Sequence, residues 1–297
     1  MQKGIFENLK PSLQLLLLFI TIGVSMVIIY LIGMAIFMIF TGVDNSLLAL
    51  SSTSSLRYLQ IVQSIGVFIV PPLIVAFFVS KSLFKWLGFE KPKLIMIFFT
   101  LALILVCQPM ISFLTELNMS MDFPQFLKSW EVKIRMQEDV NNNLLFRLLD
   151  TNQPVTILLN AFIIVILAAF GEEMLFRGTI QPLLGKIFKN SHLAVLTTAF
   201  LFSFIHFQFL TFLPRFILGV LMGYLFVFTK NLWYPITAHF FNNLMSFLVF
   251  YYYRYTQPEI NPFQTEGEKF GTLMIILSFV TVGVVGWIFF KFRKRDS

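Results

Sequence analysis

The charges of this 297-residue chain are spaced in a way that leaves few folds open to it. Windows free of Asp, Glu, Lys and Arg run between Lys10 and Asp44, Arg57 and Lys81, Lys93 and Glu116, and Asp150 and Glu172. Four more run between Lys189 and Arg215, Arg215 and Lys230, Lys230 and Arg254, and Lys269 and Lys291. A helix needs about 20 apolar residues to cross the hydrocarbon core of a bilayer. The windows therefore predict an all-α, polytopic membrane protein, a bundle of about eight transmembrane helices. Only 12% of the residues are charged, against about a quarter in soluble domains, so a solvated globular surface is excluded. The sixth window is the shortest; its helix is expected to begin near Phe212 or Pro214, with Arg215 snorkelling toward an interface. The first is too long for a signal-peptide core and reads as a retained helix.

A net charge of +7 would suggest nucleic-acid binding in a soluble domain, but here it reads as topology. With eight spans, one set of loops and both termini share a side and carry 14 of the 22 Lys and Arg, leaving 8 for the other side. The positive-inside rule then predicts an integral protein of the cytoplasmic membrane with both termini in the cytoplasm, anchored by Lys291, Arg293, Lys294 and Arg295. The expected partners are the lipid bilayer and a membrane-associated peptide or protein substrate, with no nucleic acid. The single cysteine, Cys107, allows no disulfide.

Three segments follow: 1–150, with helices one to three and a connector over 117–153; 154–253, with helices four to seven; and 254–297, with helix eight and the basic tail. The connector places Phe126, Leu127, Trp130 and Ile134 at helical spacing among charged residues. It is expected to be an amphipathic helix resting at the interface, with a lid as the functional alternative. Gly219 and Gly223 form a GxxxG, a close-packing signal between helices in lipid.

Ionisable residues inside spanning segments are costly and are functional candidates by default. Glu172, Glu173 and Arg177 lie in the fourth span, Phe202 and His206 in the fifth, and His239, Asn242 and Asn243 in the seventh. Glu173 and Arg177 are four apart and are expected to pair. Glu172 lies about 100° round the helix and stays free. His239 and Asn243 share a face, with Asn242 directed elsewhere. If Lys189 is the tip of the hairpin between spans four and five, Glu172 and His206 are each 17 residues from it, hence at one height. A carboxylate in a dry pocket is a general base for water, and a carboxamide or imidazole can stabilise an oxyanion. The set points to hydrolysis of an acyl bond, a peptide above all.

At these residues the sequence resembles the CPBP family, the CAAX protease and bacteriocin-processing (Abi-type) membrane proteins. That family's pattern is E-E-x-x-x-R, F-x-x-x-H and H-x-x-x-N or D on separate helices, matched here by Glu172 to Arg177, Phe202 to His206 and His239 to Asn243. The resemblance implies an eight-helix intramembrane endopeptidase. In it Glu172 activates water, His206 and His239 orient it, Asn243 helps form the oxyanion hole, and Glu173, Arg177 and Phe202 give support. Zinc, if present, would take His206, His239 and Glu172 or Glu173; a metal-free, glutamate-dependent site with no cofactor is the expectation. A non-proteolytic bacteriocin-immunity or scaffold protein of the same family is the alternative, and a transporter is disfavoured by the absence of any repeat.

Overall fold

A computed structural model describes residues 4–41, 52–257, 259 and 270–293. The described residues are helical, without strands. The helices are α1 Pro11–Thr41, α2 Thr53–Val79, α3 Leu94–Met119, α4 Lys128–Leu149, α5 Pro154–Phe188, α6 Ser191–Phe204, α7 Phe212–Thr229, α8 Trp233–Thr256 and α9 Thr272–Arg293. Every uncharged window thus holds a helix, and α4 is the connector. By length and composition five segments can cross a membrane: Pro11–Phe40, Thr53–Val79, Leu94–Met119, Pro154–Phe188 and Phe209–Thr229. The protein is a polytopic all-α membrane protein. Ser191–Phe204 and Thr272–Trp287 are shorter apolar helices, and α8 carries the polar motif of the seventh window. The basic tail and Asp44, used above for topology, lie outside the described side chains.

In lipid every backbone polar group needs a partner within the protein, and the breaks in these helices show how this is met. Pro109 interrupts α3, removing an N–H and crowding the preceding turn. Ser278 of α9 fills the gap: its hydroxyl donates to the Val106 carbonyl at 2.6 Å and accepts from the Met110 amide at 3.3 Å. Three π-helical segments, Ser64–Ile69, Phe162–Leu167 and Phe176–Ile180, shift the phase of α2 and α5. The last two bracket Glu172 and Glu173, a placement typical of functional sites.

Helix α6 is short. Its 14 residues rise only about 21 Å, and the chain then turns through Phe207, whose φ is 50°, into a 3-10 turn at Phe209–Thr211. The sequence reading ran the fifth span through His206; instead His206 sits just past the helix end. The exposed backbone of this turn is satisfied from outside. Asn118 donates to the Phe209 carbonyl (3.1 Å) and accepts from the Leu213 amide (2.7 Å), while Glu138 of α4 accepts from the Leu210 amide at 2.6 Å. Burial pushes the Glu138 carboxyl above its usual range.

Helices α6 and α7 then pack closely because Gly219 and Gly223 have no side chain. A Cβ on Gly219 would lie 3.1 Å from the Ala199 Cβ, and one on Gly223 would lie 2.9 Å from both Val195 Cγ1 and Gln181 Oε1. The two glycine carbonyls also serve α5: Arg177 Nη2 donates to Gly219 at 3.1 Å and Gln181 Nε2 to Gly223 at 2.9 Å. The GxxxG therefore joins three helices.

The connector is docked rather than merely resting on a surface. The C-terminal carbonyls of a helix have no partners within it; those of α4 receive Arg57 Nη2 and Asn160 Nδ2 at Leu148 (2.6 and 3.0 Å) and the Tyr251 hydroxyl at Leu149 (2.9 Å). At its other end Glu131, hydrogen-bonded by Lys128, Arg135 and the Phe123 amide, is held down at about 2. The opposite face presents Trp130, Met136 and Val140 outward, as an amphipathic helix against an apolar surface would.

Candidate functional site

Helix α5 brings the acidic pair into the bundle at a point where α2 comes very near. A Cβ on Gly171 would be 3.0 Å from the Phe68 Cβ, so the residue before Glu172 is wedged against α2. The expected turn of the hairpin is present: Lys189 is left-handed with φ 52° at the end of α5, and Asn190 caps the start of α6. Antiparallel return from that tip sets Glu172 and His206 side by side. The His206 Nε2 and the His239 Nε2 each lie 3.9 Å from Glu172 Oε2. Three helices converge on one carboxylate oxygen, as the equal spacing from Lys189 predicts.

Both rings have their far nitrogen tied. His206 Nδ1 is 2.7 Å from the carbonyl of Phe202, one turn back, so the side chain also caps the end of α6. A carbonyl only accepts, so Nδ1 carries the proton and the neutral ring turns a lone pair at Nε2 toward Glu172. His239 Nδ1 is 2.9 Å from Glu173 Oε1, which fixes the same tautomer. Each Nε2 thus faces Glu172 Oε2 at 3.9 Å, beyond direct hydrogen-bond reach.

Glu173 therefore does two things. Its Oε1 accepts from Arg177 Nη1 at 2.6 Å and from His239 Nδ1, with Glu173 and Arg177 both fully buried. The pairing of Glu173 with Arg177 follows from their spacing; the bond to His239, 66 residues away, has no local signature. Phe202 holds the group together. Its ring stands edge-on to His206 and His239 at centroid distances of 5.1 and 5.7 Å, and the Arg177 guanidinium lies 4.6 Å from its centroid, a cation–π contact in a desolvated setting.

Glu172, Phe202, His206 and His239 line a cavity of about 500 Å³, within the usual size range of a ligand site. Asn243 is on its wall and donates one Nδ2–H to the Ile164 carbonyl at 3.1 Å, leaving a second N–H. Asn242, expected to point elsewhere, also reaches the wall, where its Oδ1 lies 3.4 Å from Gln108 Nε2. The connector contributes Leu145 and Leu148. Arg215 corrects the sequence reading as well. It does not snorkel outward; it is half-buried on the cavity wall and bonded to Gln208 and Thr211. Its position in a short uncharged window was the available signal. His192, given no role from sequence, lies elsewhere, with Nδ1 2.8 Å from the Tyr224 hydroxyl.

Comparison with known proteins finds a similarity over the same segment. The family model described as type II CAAX prenyl endopeptidase Rce1-like matches residues 154–245. This segment is similar to that family. The Rce1-like match spans α5 to the middle of α8 and includes all three motifs, in agreement with the CPBP resemblance read from them. A curated relative, the uncharacterized protein YpbD of Bacillus subtilis (strain 168), is 36% identical over 81 residues, covering 26% of this chain and 38% of the relative. The chain thus aligns with well under half of that relative's length. No solved structure matches.

The shared Oε1 of Glu173 generates a prediction. Glu173→Gln keeps an acceptor oxygen but leaves the Arg177 charge buried without its counter-ion, which costs about 3–5 kcal/mol in comparable buried pairs. Its melting temperature in detergent should fall well below that of Glu172→Gln, and Arg177→Met added to Glu173→Gln should recover part of the loss. Equal stability of the two single variants would remove Glu173 from its supporting position.

Proposed function

We propose that the protein is an intramembrane endopeptidase, CAAX-protease-like, that hydrolyses peptide bonds of a membrane-associated or hydrophobic peptide or protein with water activated by Glu172. The observation that carries this reading is the convergence of Glu172 Oε2 with two imidazole Nε2 atoms at 3.9 Å, each ring locked from behind. A separation of that size between acceptors suits a bridging water. A water there can donate to two of these acceptors, and an imidazole that takes up a proton can donate to the water in turn. General base and general acid are then present together.

Hydrolysis follows with atoms in balance. Glu172 takes one proton as the water oxygen attacks the peptide carbonyl carbon. The oxyanion so formed receives the free N–H of Asn243 and the proton held on an imidazole, donors already oriented before the charge develops. Collapse breaks the C–N bond, and the proton on Glu172 passes to the leaving amine. Glu173, with Arg177 beside it, accepts from His239 Nδ1–H and so holds the Nε2 of that ring toward the cavity. Glu172→Gln preserves shape but removes the base, so peptide cleavage in detergent should fall by at least about 10²-fold with the melting temperature retained. A wild-type rate in that variant would end the proposal.

Zinc was weighed against the same side chains. Two imidazoles and a carboxylate are suitable ligands, but bonds of 2.0–2.1 Å in a tetrahedron set ligand separations of roughly 3.3–3.4 Å. Glu172 Oε2 lies 3.9 Å from each Nε2, and Glu173 Oε1 is occupied by Arg177 and His239. Among the described residues no group of three His, Cys, Asp or Glu is placed to hold a metal ion. As arranged, the set does not fit zinc, and no step is routed through it. Purified protein should hold well under one zinc per chain by elemental analysis and keep its activity after exchange with chelators. Stoichiometric zinc lost in both His206→Ala and His239→Ala would decide for a metallopeptidase.

We further propose that both termini face the cytoplasm, supported by the Lys and Arg distribution. In a Cys107→Ala background, Lys85→Cys should be shielded from a membrane-impermeant maleimide added to intact cells, and Gln137→Cys should be labelled. The reverse pattern would invert the topology.

A further inference from the structure

A second cavity of about 480 Å³ adjoins the first and shares Thr115, Leu145, Thr211, Arg215 and Ser246 with it. Arg215 stands at this junction. Its Nη2 donates to Gln208 Oε1 at 2.6 Å and Thr211 Oγ1 at 3.2 Å, and its Nη1 to the Gln208 carbonyl at 3.5 Å. All of these partners are neutral. Among the described residues Arg215 forms no ion pair, in contrast to Arg135, Arg177 and Arg254. Of the five N–H donors of a guanidinium, the Nε–H and one on Nη1 remain. A permanent positive charge held within a bundle, on a cavity wall, calls for an anion. Two carboxylates act on its charge, Glu172 first and Glu138 second, but neither bonds it: Glu172 is the base of the proposed reaction, and Glu138 accepts from the Leu210 amide.

We propose that Arg215 binds a carboxylate of the substrate, so that the second cavity receives the chain to one side of the scissile bond and Arg215 sets how far it enters. This rests on the peptidase reading above. The apolar and amide groups around it, Ile111, Val249, Gln108 and Asn142 among them, suit a short peptide backbone with apolar side chains. Gln208 and Thr211 pre-orient the guanidinium, so little side-chain freedom is lost on binding. The carboxylate has two sources in a peptide, the chain terminus and an Asp or Glu side chain. The recognition chemistry is shared.

The test reads binding apart from cleavage. In the Glu172→Gln protein, fluorescence anisotropy would compare three dansylated apolar pentapeptides: a free acid, its C-terminal amide, and an amide carrying one Glu. The free acid or the Glu-containing amide should bind roughly 10- to 100-fold more tightly than the plain amide, as expected of charge-assisted hydrogen bonds. Whichever of the two binds tightly identifies the source. Adding Arg215→Gln should reduce the preference to under about threefold, Arg215→Lys should keep part of it, and Arg215→Glu should favour a Lys-containing amide instead. Arg215→Lys and the charge reversal keep the test informative if the Gln variant folds poorly. Equal binding of all three peptides, or a preference that survives Arg215→Gln and Arg215→Glu, would overturn the proposal. Retained peptide preference in a protein whose wild type cleaves nothing would count against the peptidase reading alone.

Discussion

One carboxylate oxygen organises the interior of this protein. Glu173 Oε1 accepts from Arg177 on its own helix and from His239 on α8, and from there the connections spread. Arg177 reaches the backbone of α7 through Gly219 and lies against Phe202 of α6. Phe202 in turn packs on both histidines and offers its carbonyl to His206. In a medium without water an ion pair of this kind is justified only when its remaining hydrogen-bonding groups are also met. The second bond to Glu173 Oε1 meets part of that demand and at the same time aims an imidazole, while Glu173 Oε2 and Arg177 Nε are buried without a partner in the protein.

The arrangement divides two adjacent glutamates by environment. Glu173 has its Oε1 engaged by Arg177 and His239, while Glu172, one residue earlier, turns its Oε2 to the two Nε2 atoms and lines the cavity. The helical step of about 100° per residue is enough to separate them. Hydrolytic chemistry needs such a division: one group fixed, the other available to exchange a proton.

Much of this was legible in the sequence because it depends on short-range periodicity. Charge spacing gave the helices, the four-residue step gave Glu173 with Arg177, and the equal distances from Lys189 gave the common height of Glu172 and His206. What escaped depends on chain segments far apart in sequence. The bond between Glu173 and His239 and the capping of the Phe209–Thr211 turn by Asn118 and Glu138 are of that kind. Arg215 was misread because a helix near its end allows a long side chain to leave the bundle; only the turn before α7, which bends back toward the cavity, decides that it does not. The connector was misjudged for a similar reason: amphipathicity describes the face turned to lipid and is silent about Glu138 on the other.

The paired contacts of Arg177 and Gln181 with Gly219 and Gly223 work as a two-tooth rack. Donors four residues apart on α5 engage carbonyls four residues apart on α7. A slip of one helical turn, about 5.4 Å, would disengage one tooth and leave a buried donor facing a side chain where a glycine had stood. Sliding between these helices is thereby blocked while small rocking about the contact is not. Any opening of the cavity must therefore come from the other walls, with the α5–α7 rack as the fixed frame against which they move.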